Sequence, residues 1–262
     1  MNVPSGTLFT QSGAVPALAL GNPALDVEHV TSYEVGFRRE IARRVNLTLD
    51  GYYSVVRDFV SALLPYANPT FGRWTAPASV DASARGAVES AVVAALGPAS
   101  GLTRLQDAAG TTAIVYSYGN AGRATERGVE VGVAVELSKR IRVDGNYSYF
   151  GYTIDEGVPL VPGDLIAPNT PKHKGNLRAS YTAGRFDAWG GVNVTSAHEW
   201  SSGFFQGRIP SSQRIDAGAG YLVRPRVRLH TIATNLFDQR TYHIYGGSID
   251  RRRVLAGVTG TF

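Results

Sequence analysis

The chain has no cysteine, a single methionine and no long apolar run. Without cysteine there are no disulfides and no thiolate metal centres, which fits a compartment where free thiols are oxidised. Without an apolar run of roughly 18 residues there is no membrane-spanning helix. Charge is scarce as well. Charged residues make up 18% of the 262 and hydrophobic ones 44%, a balance that excludes both a disordered chain and a helical membrane protein. No basic block is present either. The net charge is +5 and the pI near 9.5, but the arginines are dispersed, which favours a polar face over a nucleic-acid footprint. A secretory leader would need a positive start and an apolar core of roughly 7–15 residues. Residues 1–6 instead open a polar, turn-rich stretch, with no basic residue before Arg38. In an exported protein this reads as an incomplete chain, or as a start placed inside a longer gene.

What the chain does have is glycine (30), tyrosine (13) and strict alternation. Over Ile141–Tyr149 one face reads Ile141, Val143, Gly145, Tyr147, Tyr149 and the other Arg142, Asp144, Asn146, Ser148. Over Arg127–Leu137 the apolar side is Val129, Val131, Val133, Val135, Leu137. The pattern recurs in Val45–Val55, Lys172–Tyr181, Arg185–Thr195, Arg214–Val223, Arg226–Ala233 and Arg253–Phe262, and begins at Tyr33, Val35, Phe37. Side chains alternate sides of a strand, so each segment has one oily and one wet face. About nine such segments result, each roughly as long as a tilted strand needs to cross a bilayer.

A soluble sandwich also alternates, so the connections have to decide. They alternate tight and long. Tight turns fall at Ala42–Arg44, Ser138–Arg140, Gly184 and Arg224–Pro225. Long loops fall at about residues 65–110, 156–170, 201–212 and 238–249. Short turns on one side and long loops on the other are the habit of outer-membrane barrels. The expected fold is therefore all-β: an antiparallel transmembrane β-barrel fragment with short periplasmic turns and long extracellular loops. Residues 1–30 are expected to be the remnant of an extracellular loop and residues 31–262 the barrel portion. Ala84–Leu96 reads as a short Ala-rich helix inside the longest loop. Tyr33, Tyr53, Tyr147, Tyr149, Tyr181, Tyr221 and Phe262 are placed for interfacial aromatic girdles.

Several segments resemble TonB-dependent receptors. Asn22-Pro23-Ala24-Leu25, then Glu28, then Tyr33-Glu34-Val35-Gly36 is similar to the family's Asn-Pro-x-Leu, Glu and Tyr-Glu-x-Gly stretch. Asn120-Ala121-Gly122 leading to Gly128-Val129-Glu130 resembles another, and Pro171-Lys172-His173 a third. Asn235-Leu236-Phe237-Asp238, then Tyr242 and a terminal Phe262, resembles the family's close. Val254, Ala256, Val258 and Phe262 resemble the signal read by the barrel assembly machinery, although Gly260 stands where a larger apolar residue is common.

The resemblance implies a receptor in the outer membrane of a Gram-negative-type bacterium, importing a ligand with energy delivered by TonB. Such barrels have about 22 strands and a plugged lumen, so plug, TonB contact and about thirteen strands are expected to lie outside this chain, which alone should not transport. The implied partners are outer-membrane lipid, those remaining parts of the same receptor, TonB through the plug, the assembly machinery and a small-molecule ligand. Siderophore or iron transport is the implied traffic, with iron arriving already chelated and no cofactor required. A small complete porin- or adhesin-like barrel is the alternative, and it predicts closure of the first strand on the last. A soluble carbohydrate-binding sandwich would show two stacked sheets.

Catalytic and metal chemistry find no support. The five histidines have no ligand spacing, and there is neither a nucleophile elbow nor a phosphate-cradling loop. The polar face is expected to carry Arg38, Arg142, Arg178, Arg185, Arg214, Arg226 and Arg228 among Glu34, Asp50, Glu130, Glu136, Asp144, Asp187 and Asp216. Its plain reading is a wet wall held by ion pairs. Its sharper reading is a route for an anionic cargo, with Arg142, Arg178 and Arg214 along it. Tyr116 and Tyr118 at the outer end of their strand, with Trp200, Phe204 and Phe205 in a loop, would be first contacts.

Overall fold

The structure is a computed structural model describing residues 2–3, 13–14, 17–61, 63–65, 68, 70–72, 74–96, 102–106, 112–157, 167–202 and 205–261. One nine-stranded antiparallel sheet dominates it. Its strands are β1 (His29–Ile41), β2 (Val45–Arg57), β3 (Gly122–Glu136), β4 (Ile141–Gly157), β5 (His173–Ala183), β6 (Phe186–Thr195), β7 (Ser212–Arg224), β8 (Val227–Thr234) and β9 (Arg253–Gly260). Each pairs with its neighbours in chain order, giving an unbroken meander. All nine alternating segments are therefore strands, most of them longer than the alternation alone marked. One large open sheet, with only two- and four-stranded sheets besides it among the described residues, is not the pair of stacked sheets of a sandwich. Among the described residues β1 pairs only with β2 and β9 only with β8, so the closure expected of a small complete barrel is absent.

Register sorts the side chains. Phe37, Leu49, Val131, Tyr147, Gly175 and Val194 lie opposite one another across six strands. The next row on the same face runs Leu47, Val133, Gly145, Leu177, Val192, Ile215. Among the described residues this apolar face has nothing packed on it: Val35 is 75% exposed and Val258 67%. Burying such a face in a soluble protein would need a second layer. Exposure of a whole apolar sheet face is what a lipid contact requires.

The height of that face matches a bilayer. Tyr33 and Tyr53 sit directly opposite each other eight residues from the tight turn joining β1 and β2. At about 3.3 Å per residue and a tilt of roughly 40°, eight residues climb about 20 Å, close to the apolar band of known barrels. Tyr149 and His173 stand opposite each other at similar height, rings 5.3 Å apart. Tyr181, Phe186 and Tyr221 form the opposite band, two residues or fewer from their tight turns. Between the bands this face bears no charged side chain. Its arginines, Arg39, Arg57, Arg123 and Arg127, lie at or beyond the margins, where long stems reach water.

The tight turns close the ladder. Ala42 and Arg43 both take positive φ, 51° and 57°, the primed geometry that follows sheet twist, and Gly184 does the same at 58°. At the opposite end the longest connection folds on itself. Strand Thr112–Ser117 pairs with Ala17–Ala19, Leu64–Pro65 and Leu102–Gln106, and helix α1 (Arg85–Leu96) lies against it. Val92, Ile114 and Tyr116 form its small core, with Leu63, Trp74 and Val88 packed around them. The sequence marked the helix to within a residue but gave no sign of this sheet.

The two faces make opposite demands on a new charge. Val131→Arg, on the uncharged band, should cost about 2–4 kcal/mol of membrane-inserted stability. Ser148→Arg, on the polar face opposite Glu130, should change it by less than about 0.5 kcal/mol. The midpoint of urea unfolding from lipid vesicles distinguishes the two.

Candidate ligand route on the polar face

The opposite face of the sheet is wet and internally paired. Its central row runs Arg38, Thr48, Gly132, Asn146, Asn176, Asn193, Arg214. Asn176 Nδ2 donates to Asn146 Oδ1 at 2.8 Å, and Asn193 Nδ2 to Asp216 Oδ2 at 3.1 Å. The row beside it holds Asp50, Glu130, Ser148 and Lys174. Together the two rows line a shallow concavity of 450 Å³. Amides and carboxylates in such a groove offer hydrogen bonds to a passing polar solute.

The three arginines expected along the route already have partners. Arg142 grips Asp144 with Nε and Nη2, at 2.9 and 2.7 Å to Oδ1. Arg214 Nε donates to Asp216 Oδ2 at 3.2 Å. Arg178 stands opposite Asp144, but that carboxylate is taken by Arg142. Its guanidinium lies instead 4.0 Å over the ring of Trp189. Among the described residues it has no ion pair, so its charge is the least neutralised of the three. Arg228 pairs with Asp187 in the same manner as Arg142. Arg185 and Arg226, expected on this face, belong to the tight turns instead. Several large side chains here lie flat over a glycine of the next strand. A Cβ at Gly128 would collide with the Tyr52 ring, one at Gly218 with Trp189 and one at Gly257 with His230.

The aromatic first contacts separate. Tyr116 is not on a barrel strand. It belongs to the loop sheet, 7% exposed in the loop core, because Asn120 and the positive φ of Gly122 (104°) break the chain before β3. At that burial little of its side chain is left at the surface. Tyr118 follows that strand and is exposed. Trp200 lies on a hairpin, His198–Ser202 paired with Phe205–Ile209, where it faces Gly207. Phe205 opens the second hairpin strand, but its side chain lies outside the described residues, as do Phe204 and Phe262. Val254, Ala256 and Val258 face outward on the edge strand β9.

The residues that carried the resemblance turn out to organise the long-loop rim. Asn120 Nδ2 donates to the carbonyls of Asp26 and Asp58, and its Oδ1 accepts Asp26 N–H at 2.9 Å. Asn22 Nδ2 reaches the Tyr118 carbonyl, and Glu28 Oε2 accepts Val60 N–H at 3.0 Å. Asn235, at φ 53°, donates its backbone N–H to Asp216 and brackets Gln239 with its amide. Asp238, also left-handed, receives Arg251 and the Arg252 backbone. Asn and Asp tolerate that backbone region better than other residues with a side chain. These motifs fix backbone at the ends of strands, leaving ligand contact to other side chains.

Sequence reading missed one cavity, at the long-loop end of the polar face, where Glu28, Glu126 and Ser201 line one space of 330 Å³. They are too far apart in sequence for any local pattern to join them.

The Arg251 side chain, and then the Arg252 backbone N–H, hold the Asp238 carboxyl well below the usual carboxylate range. A depressed carboxyl stabilises at every pH above its unfolded value, about 3.9, and loses that contribution only as pH falls through the folded value. Limited proteolysis of residues 238–252 should therefore be slow and constant from pH 7 to 4 and quicken only in stronger acid. Asp238→Asn should be cut faster already at pH 7.

Comparison with known proteins agrees with this architecture. A family model described as TonB dependent receptor-like, beta-barrel matches residues 2–236. No curated protein matches the sequence at a significant level. Solved structures do. The ferric yersiniabactin uptake receptor FyuA from Yersinia pestis is 18% identical with a TM-score of 0.55, the match covering 90% of this chain and 30% of that one. The ferripyoverdine receptor of the outer membrane of Pseudomonas aeruginosa is 16% identical at 0.56, covering 89% and 27%. The copper transporter OprC is 16% identical at 0.58, covering 92% and 32%. The chain thus spans under a third of the length of these proteins. At such identity they speak for the fold alone, while the family match over most of the sequence and the two-faced meander agree: the chain belongs to the TonB-dependent receptors, a family of transporters and not of enzymes, and carries part of their β-barrel.

Proposed function

We propose that this chain is a section of barrel wall in an outer-membrane receptor that takes up a scarce, chelated nutrient such as a ferric siderophore. The observation that carries this reading is the contrast between the two faces. One is uncharged between aromatic bands, and the other is lined with amides, carboxylates and paired arginines beneath a folded loop unit. A purely structural wall would also be polar inside; what favours a ligand route is the 450 Å³ concavity and an Arg178 without an ion pair among the described residues. The matched structures that are named as ferric-siderophore receptors support this class of cargo, while the copper transporter among them keeps other metals within reach. The route runs from exposed Tyr118 and the Trp200 hairpin toward Arg178, whose charge is available to an anionic ligand. Gating and coupling to TonB belong to the plug and the remaining strands of such a receptor, which complete both open sheet edges. The outer-membrane lipid and the assembly machinery are the wall's other partners.

The test exports the chain behind a leader, isolates outer membranes and measures retention of radio-iron bound to catecholate or hydroxamate siderophores. Retention above that of membranes lacking the chain is expected, and Arg178→Glu with Trp200→Ala should reduce it roughly tenfold. Recovery as a soluble periplasmic protein, or retention indifferent to both substitutions, overturns the reading.

A further inference from the structure

The cavity at the long-loop end has a chemistry that anion transport does not explain. Its floor is an apolar row, Val30, Val56, Ala124 and Ile154, in continuous register across β1 to β4. Phe59 and Pro168 wall it from the loops. Two carboxylates line it, Glu28 and Glu126, and no lysine, arginine or histidine does among the described residues. They are near enough for their charges to act on each other. Glu28 already accepts one backbone N–H through Oε2, and neither carboxylate has a cationic partner among the described residues.

A third polar residue borders the same space independently. Ser201 lines the cavity and is 6% exposed. Its backbone is fully engaged by Asn169, whose Oδ1 accepts the Ser201 N–H at 2.7 Å while Nδ2 donates to the Ser201 carbonyl at 2.8 Å. Its hydroxyl alone has no partner among the described residues. A buried hydroxyl without a hydrogen bond is costly, and a ligand atom would remove the cost. Two like charges held over an apolar floor are relieved most directly by a cation. The volume and the mixture of apolar lining with few polar groups are those of a small-molecule site. A bare divalent ion would want six or more oxygens, which this lining does not provide.

We propose that this cavity is a subsite for an apolar group bearing an ammonium or guanidinium. The hydrocarbon or ring rests on Val56, Ala124 and Ile154. The cation lies between Glu28 and Glu126, and a donor or acceptor on the ligand meets Ser201 Oγ. The proposal rests on the polar face being a ligand route, and it adds that the ligand carries positive charge where it first enters.

The test uses the membrane-inserted chain and three probes: dansylcadaverine, which pairs an aromatic ring with a primary ammonium, its uncharged analogue dansylamide, and calcium alone. Fluorescence titration is read against Ala124→Leu, which fills the floor and leaves both carboxylates in place. Saturable binding of dansylcadaverine is expected, absent in Ala124→Leu. The double variant Glu28→Gln, Glu126→Gln should weaken it at least tenfold and leave dansylamide unchanged. Ser201→Ala should weaken it two- to threefold, and added salt should weaken it progressively. The subsite is overturned if both dansyl probes bind alike, if the double variant keeps its affinity, or if calcium displaces the probe. An inserted chain that binds neither dansyl probe also overturns it while leaving siderophore retention, and the receptor reading, to stand or fall separately.

Discussion

The structure depends on one constraint: in hydrocarbon, every backbone N–H and C=O must find its partner within the protein. An antiparallel meander meets it with neighbouring strands, and the price is that each residue's direction is fixed by its parity. Everything else follows from that parity. Odd positions of β2 form the apolar face and even positions the polar one, and the partner strand inherits the same division through its register. A slip of one residue would exchange Leu49 for Asp50 in the apolar band. Register is therefore held from both ends, by primed turns on one side and by asparagine and aspartate clamps on the other.

That division of labour explains what the family's motifs are for. Asn22, Asn120, Asn235 and Asp238 are far apart in sequence, yet all do the same thing: they satisfy backbone groups where a strand leaves the sheet and the ladder no longer can. No motif marks the side chains between them, such as Arg178 over Trp189 or Glu126, which shares a cavity with Glu28.

The wall was legible in the sequence because a period of two residues survives any register and any partner. The strand from Ile141 was recognisable from its first nine residues, and the structure carries it to Gly157. Its further reach was hidden because Phe150, Tyr152 and Ile154 are apolar on the polar face, where Tyr152 and Ile154 line the cavity. Tyr116 was misplaced for a related reason: Ile114, Val115 and Tyr116 look like a strand and are one, but of a separate small sheet. The cavity itself had no signal, since Glu28, Glu126 and Ser201 meet only after six strands have been laid side by side and the next loop has folded back. Parity is local information. Proximity across a sheet is not.

The glycines under Tyr52, Trp189 and His230 set the relief of the polar face. Each lets a bulky side chain recline along the sheet, so that surface is flatter than these residues would leave it if they stood upright. Its contour is thus governed from the neighbouring strand, by a residue that contributes no side chain. A single methyl group added at Gly128 or Gly218 would meet the ring lying over it, and the ring would have to shift.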